Sequence, residues 1–254
     1  MRVVAVVQAR MGSTRLPGKV LKNILGKPVL WHIVNRVQKA KHVNEVVIAA
    51  TTSPEDEKLE KFAADCSLGI YRGSVNDIVD RFLGAGKKFQ ADVVVRVWGD
   101  CPFVDPEIID KMLSKFINGN YDYANNANPA TYPPGMDIEL YSMKSLERIQ
   151  QETLEPFYRE YPFEHVYKRG DSFKTFYDKN DIDLSHINLT VDYIEDFRLA
   201  TEIYKCLYKD GEVFHLGQIL NLMEKHPELK EMNSGLPRNI EFNRDKKKIR
   251  QKSG

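Results

Sequence analysis

A chain of 254 residues is long enough for one large α/β domain with a sizeable core, and short for two full domains. Lys and Arg number 37 against 36 Asp and Glu, a net charge of +1 that argues against wholesale attraction to a nucleic-acid polymer or an anionic membrane surface. Cys66, Cys101 and Cys206 lie far apart with no C-x-x-C pair, which argues against a zinc site and a disulfide framework, and no apolar run approaches the ~20 residues of a membrane span, so the expectation is a soluble cytoplasmic protein.

The chain starts with the β-branched run Val3 to Val7, which predicts a buried strand. Gly12, Ser13, Pro17 and Gly18 end it in a loop, Q-A-R-M-G-S-T-R-L-P-G-K, at the sheet edge where open α/β proteins bind ligands. Pro28 to Ala40 carries apolar residues at helical spacing behind a first-turn proline. Glu45 to Thr51 reads as a second buried strand, and Ser53, Pro54 and Asp56 open another helix. A short strand, Gly69 to Tyr71, leads into a helix that runs to about Lys88, and the alternation repeats with Asp92 to Val97 and a helix from Pro106. This order predicts a Rossmann-like α/β fold, a mostly parallel sheet flanked by helices.

Beyond that the pattern weakens. Asn, Tyr, Ala and Pro dominate from Tyr121 to Pro134, and strands are expected at Met136 to Tyr141 and Phe173 to Tyr177, so 121–180 reads as a small antiparallel insertion that binds the acceptor or a second subunit. Asn188 to Val191 reads as a returning strand, followed by a helix from Ile194 to about Tyr208. One domain over 1–243 and a basic, flexible tail over 244–254 complete the expected organisation.

Charge must therefore act locally. Arg10, Arg15 and Lys19 place three cations among small residues, Gly12 and Ser13 included, whose backbone N–H groups can approach an anion closely. That combination suits a polyphosphate, although the loop is neither a Walker A nor a G-x-G-x-x-G fingerprint. Phosphoryl chemistry also asks for a hard cation held by carboxylates. Asp100 in W-G-D-C-P and Asp192 in L-T-V-D each follow an expected strand, and together they are the candidate ligands for Mg²⁺.

The opening run, together with G-K-P-V-L, Y-R-G-S-V-N-D-I-V-D-R-F, W-G-D-C-P, P-G-M-D-I-E-L-Y-S, F-E-H-V and T-V-D-Y-I-E-D-F, resembles the cytidylyltransferases that activate acidic sugars. These include the acylneuraminate and 3-deoxy-manno-octulosonate enzymes; S-T-R-L-P-G-K resembles the octulosonate and spore-coat-polysaccharide enzymes, and the E-H-V and G-M-D-I-E pieces lean to the spore-coat branch, the nearest one. The resemblance implies transfer of CMP from CTP to a sugar hydroxyl with release of pyrophosphate, with Arg15, Lys19 and Asp100 in the chemistry. It places Ala9 and Arg10 near the base and ribose, and Arg10, Gly12, Ser13, Arg15 and Lys19 around the triphosphate. It puts Arg72, Gly73 and Asp77 at the base and ribose pocket, Mg²⁺ on Asp100 and Asp192, and Asp137, Glu139, Glu164 and His165 toward the acceptor. It also implies a homodimer. A sugar-1-phosphate nucleotidyltransferase, a nucleotide-sugar glycosyltransferase and a non-catalytic nucleotide binder are the competing readings.

Overall fold

The structure is a computed structural model and describes residues 1–252. In chain order it forms β1 (Val3–Gln8), a tight hairpin of β2 (Asn23–Ile24) and β3 (Lys27–Pro28), α1 (Val29–Val37), β4 (Glu45–Thr51), α2 (Glu57–Asp65), β5 (Gly69–Gly73), α3 (Ile78–Lys88) and β6 (Val93–Trp98). The second half adds α4 (Pro106–Gly119), β7 (Tyr123–Asn125), β8 (Glu139–Ser142), α5 (Met143–Glu152), α6 (Pro156–Glu160), α7 (Pro162–Arg169) and β9 (Thr175–Tyr177). Four helices follow: α8 (Ile194–Leu207), α9 (Leu216–Lys225), α10 (Glu228–Glu231) and α11 (Ile240–Lys252).

Strand β1 lies at the centre because its small and β-branched residues pack on both faces. Val3, Ala5 and Val7 enter the larger core with α1, α4 and α8, while Val4 and Val6 enter a second core with α3, α5 and α7. β1 pairs in parallel with β4 on one side and β6 on the other, and the seven-stranded sheet runs β5-β4-β1-β6-β8-β7-β9. Strand β8 alone opposes the rest, antiparallel to both β6 and β7, whereas β9 is parallel to β7. The mostly parallel, helix-flanked sheet expected from the sequence is therefore present, with β2 and β3 as a small antiparallel sheet beside it.

Three stretches differ from their sequence-based reading. The 121–180 region supplies β7, β8 and β9 to the main sheet itself, because Tyr123, Ala124, Leu140 and Tyr141 are apolar enough to be buried between its covering helices. The segment Asn188 to Val191 is extended but is not a strand: Leu189 donates its N–H to Pro134 and Val191 donates to Asp100, both in loops. Burial of Leu189 and Val191 produced the strand-like pattern without a ladder.

The basic C-terminal stretch, expected to be disordered, forms α11 as far as Lys252, while Ser253 and Gly254 lie outside the described residues. Phe242 anchors the helix against Tyr161, Phe163 and Phe157, with ring centroids 5.0, 5.6 and 6.4 Å away, and Lys246 pairs with Glu164. The single aromatic in a charged run was outweighed by composition.

Candidate active site

The loop after β1 is built around one carbonyl. Met11 O accepts the N–H groups of Ser13 and Gly18 at 2.8 and 3.1 Å, and Gly18 adopts φ +67°, which lets the chain fold back on itself. Met11 donates its own N–H to Asp56 at 2.6 Å. The fully buried Asp56 carboxylate also accepts the Thr51 N–H and hydroxyl, so it ties the loop to the end of β4. The 3-10 turn Lys19–Leu21 follows at once and directs the Lys19 side chain inward, where the residue is only 8% exposed.

Asp100 arrives from the neighbouring strand. Gly99 donates its N–H to Gln8 O at 2.8 Å, and a β-carbon there would lie 2.6 Å from that same oxygen, so only glycine brings β6 and the end of β1 this close. Asp192 arrives from the other side, because Val191 donates to Asp100 O at 2.8 Å. Asp196 in the first turn of α8 fixes it further by accepting the N–H groups of Asp192 and Tyr193 at 3.0 and 2.9 Å. Asp196 is in turn held by Asn233 and by a two-pronged contact from Arg238.

The result is a compact charge cluster. Lys19 Nζ lies 2.6 Å from Asp100 Oδ2 and 2.8 Å from Asp192 Oδ1, and an Arg15 guanidinium nitrogen lies 2.8 Å from the same Asp192 oxygen. Burial opposes the charge on Lys19, but the two carboxylates outweigh it and hold the amine above its ordinary range. Burial likewise opposes ionisation of Asp192, and Lys19 and Arg15 reverse the effect and lower it. Two carboxylates from separate segments converging on one cation form a donor set of hard oxygens that also suits a divalent metal ion.

A cleft of about 250 Å³ opens over this cluster. Of the sequence-predicted residues, Arg10, Ser13, Arg15, Lys19, Asp100 and Asp192 line it. Ala9 and Gly12 belong to the loop backbone: Ala9 donates to Ala49 O at 3.1 Å, and Gly12 faces the Glu55 side chain.

The remaining predicted residues do not line this cleft and have protein partners in this structure. Arg72 donates to the carbonyls of Thr51 and Ser53 and pairs with Glu60, and Gly73 sits in register opposite Thr51 on β4. Asp77 caps α3 through the Asp80 N–H and binds Arg159. Glu139 is buried in an ion pair with Arg96 at 2.9 Å, Glu164 holds Lys246 of α11, and His165 faces Glu152 at 3.0 Å. Asp137 accepts from Gly135 N–H, and burial pushes its carboxyl up to about 6, with Asp100 and Glu139 adding to the rise.

Sequence reasoning missed the cleft's other walls. Gln8 and Trp98 end the two central strands and form the floor, where Arg96 stacks on Trp98 at 4.4 Å and donates to Gln8. Glu160 and Tyr161 together with the start of α11, whose Phe242 packs on Tyr161, form further walls, with Glu241 3.6 Å from Arg10. From the sequence Gln8 reads as the first residue of the loop after the Val3 to Val7 run, whereas it is the last residue of β1, and nothing in the sequence signalled that α11 returns to the site.

The chain that carries this site is similar to proteins of known kind. Residues 4–234 match the cytidylyltransferase family profile. The spore coat polysaccharide biosynthesis protein SpsF of Bacillus subtilis is 28% identical over 232 residues, which cover 89% of this chain and 95% of SpsF. A 3-deoxy-manno-octulosonate cytidylyltransferase of Bdellovibrio bacteriovorus is 34% identical over 150 residues, covering 59% of this chain and 58% of that enzyme. The solved structure of a cytidylyltransferase from Leptospira borgpetersenii superposes with a TM-score of 0.87 at 31% identity, covering 93% of this chain and 99% of the other. This chain therefore belongs to the cytidylyltransferase family.

Proposed function

We propose that this enzyme transfers CMP from CTP to a hydroxyl of an acidic 2-keto sugar during the synthesis of a polysaccharide or glycan precursor, and that it works with Mg²⁺. The observation that carries the reading is the convergence of Lys19 and Arg15 with Asp100 and Asp192 at the mouth of the central strands. The sugar hydroxyl attacks the α-phosphorus in line, the bond to the β-phosphate oxygen breaks, pyrophosphate leaves, and the hydroxyl proton passes to solvent.

Arg10, Ser13, Arg15 and Lys19 bind the triphosphate, and Arg15 and Lys19 neutralise the charge that develops on departing pyrophosphate. Mg²⁺ held by Asp100 and Asp192 would supply further neutralisation of the phosphate oxygens and make the attacking hydroxyl more acidic. The oxygen-only donor pair suits that ion. The acidic sugar is supported by the likeness to the octulosonate enzyme and to SpsF, and the aromatic walls of the cleft, Trp98, Tyr161 and Phe242, offer faces for a sugar ring.

A cytoplasmic site of action fits three cysteines that are all free thiols. The homodimer is carried over from the family resemblance, and light scattering on the purified protein tests it.

The deciding experiment is a matrix of CTP and GTP against free sugar acids and sugar 1-phosphates with Mg²⁺, read by pyrophosphate release. Release with CTP and a sugar acid is expected. Turnover confined to sugar phosphates, or none with CTP, would overturn the proposal.

A further inference from the structure

Lys19 occupies an unusual position for a phosphate-binding lysine. Its ammonium lies at the cleft between Asp100 and Asp192, within hydrogen-bond distance of both. Lysine is rarely buried this deeply unless its charge is matched, and here it is matched twice. With Arg15 also on Asp192, the cluster contains two cations and two carboxylates, and the buried Asp137 lies near enough to Asp100 for the two to repel.

Resting on the reaction proposed above, we infer that Lys19 is a resident counter-cation that keeps divalent metal out of the nucleotide-free enzyme and yields its place only when a nucleoside triphosphate enters. A doubly charged ion added to the cluster would meet the positive charges of Lys19 and Arg15, which already occupy the carboxylate oxygens, in a half-buried site. A triphosphate reverses that balance, because its oxygens attract Lys19 and Arg15 and free the two carboxylates. Lys19 thus has two sets of partners: aspartates before the nucleotide binds and phosphate after it.

The same ammonium also holds the site together in the meantime. Without it Asp100 and Asp192 would repel each other across the gap between β6 and the first turn of α8. Nucleotide and metal would then bind in order, and metal would not accumulate in a form that binds pyrophosphate unproductively.

The test measures Mn²⁺ binding by electron paramagnetic resonance, with and without CTP and with no acceptor present, so that no turnover is read. Wild-type protein is expected to bind Mn²⁺ weakly alone and at least ten-fold more tightly with CTP. Lys19→Met removes one positive charge a few ångströms from the metal position, so its nucleotide-free affinity should rise on the order of ten-fold or more. Arg15→Gln removes a more exposed charge and should shift affinity the same way by less, which keeps the test intact if Lys19→Met does not fold. Nucleotide-free Mn²⁺ binding no tighter in either folded variant than in wild type would overturn the inference, as would wild-type binding that is indifferent to CTP. Failure of CTP itself to bind, measured by calorimetry, would instead count against the proposed function.

Discussion

Replacing Glu139 by Gln separates two roles that the sequence could not distinguish. Glu139 lies in the G-M-D-I-E run expected to face the acceptor, yet its carboxylate is 3% exposed and accepts from Arg96 at 2.9 Å, Tyr141 OH at 2.8 Å and Tyr123 OH at 3.4 Å. Arg96 is itself 4% exposed; burial opposes its charge, and Glu139 more than restores it. Glutamine keeps the shape, and with its oxygen at the Oε2 position it still accepts from Arg96 and Tyr141, but it removes the counter-charge and leaves the guanidinium with Gln8, the rings of Trp98 and Phe82 and the attraction of Glu160. Breaking a buried pair costs about 3 to 5 kcal/mol, and the retained hydrogen bonds place this variant at ~3 kcal/mol. For a chain of this size that is a fall in Tm of roughly 6 to 12 °C, measured by calorimetry. The double variant Arg96→Met/Glu139→Gln buries no unpaired charge and should recover part of the loss. A Tm within about a degree of wild type, combined with a raised KM for the acceptor, would refute this reasoning and return Glu139 to the binding surface.

Gly99→Ala sets its β-carbon 2.6 Å from Gln8 O and 3.3 Å from Ala9, so β6 must move off the end of β1 and carry Asp100 with it. The expected result is a kcat lowered at least ten-fold with a modest change in Tm, compared in the pyrophosphate-release assay and a thermal melt. Acid stability should depend on Glu152: burial opposes its ionisation, but hydrogen bonds from His165, Arg148 and Arg169 lower its carboxyl from 4.5 to about 2. A carboxyl depressed in the folded state stabilises fully above the unfolded value and loses that contribution as pH falls through the folded one. The Tm advantage of wild type over Glu152→Gln should therefore shrink between pH 4.5 and about 2, and a gap constant across that window would contradict the assignment.

What was legible in the sequence followed from local chemistry. The parallel half of the sheet announced itself through Val-rich runs punctuated by Gly and Pro, and the cationic loop through its spacing directly after β1. Asp100 and Asp192 were identifiable as acidic residues at the ends of extended segments, and they do meet. What the sequence could not supply was the partner of each charge. Arg72, Asp77, Glu164 and His165 have the residue types of a binding site, but each is matched by a group from another part of the fold, such as Arg159 for Asp77 or Glu152 for His165. Residue type reveals what a side chain is able to bind, and only the packing decides which group reaches it first.

The same reasoning explains why the far wall of the cleft was invisible. Helix α11 carries the charge density of a solvated tail, and its outer face has that character: Arg244, Lys247, Lys248 and Arg250 are exposed. Its inner face is defined by contacts 79 to 82 residues away in sequence, Phe242 on Tyr161 and Phe163 and Lys246 on Glu164. The chain reaches that position because Arg238 is fastened to Asp196 and the Tyr193 hydroxyl to Pro237 O. Tyr193 also lies against both Arg15 and Arg238, with ring centroids 5.2 and 5.7 Å from the two guanidinium carbons. One ring therefore contacts both Arg15 of the loop after β1 and Arg238, the anchor of the helix that lines the cleft, so under the proposed function a movement of Arg15 toward a phosphate would remove a contact from the residue that positions α11.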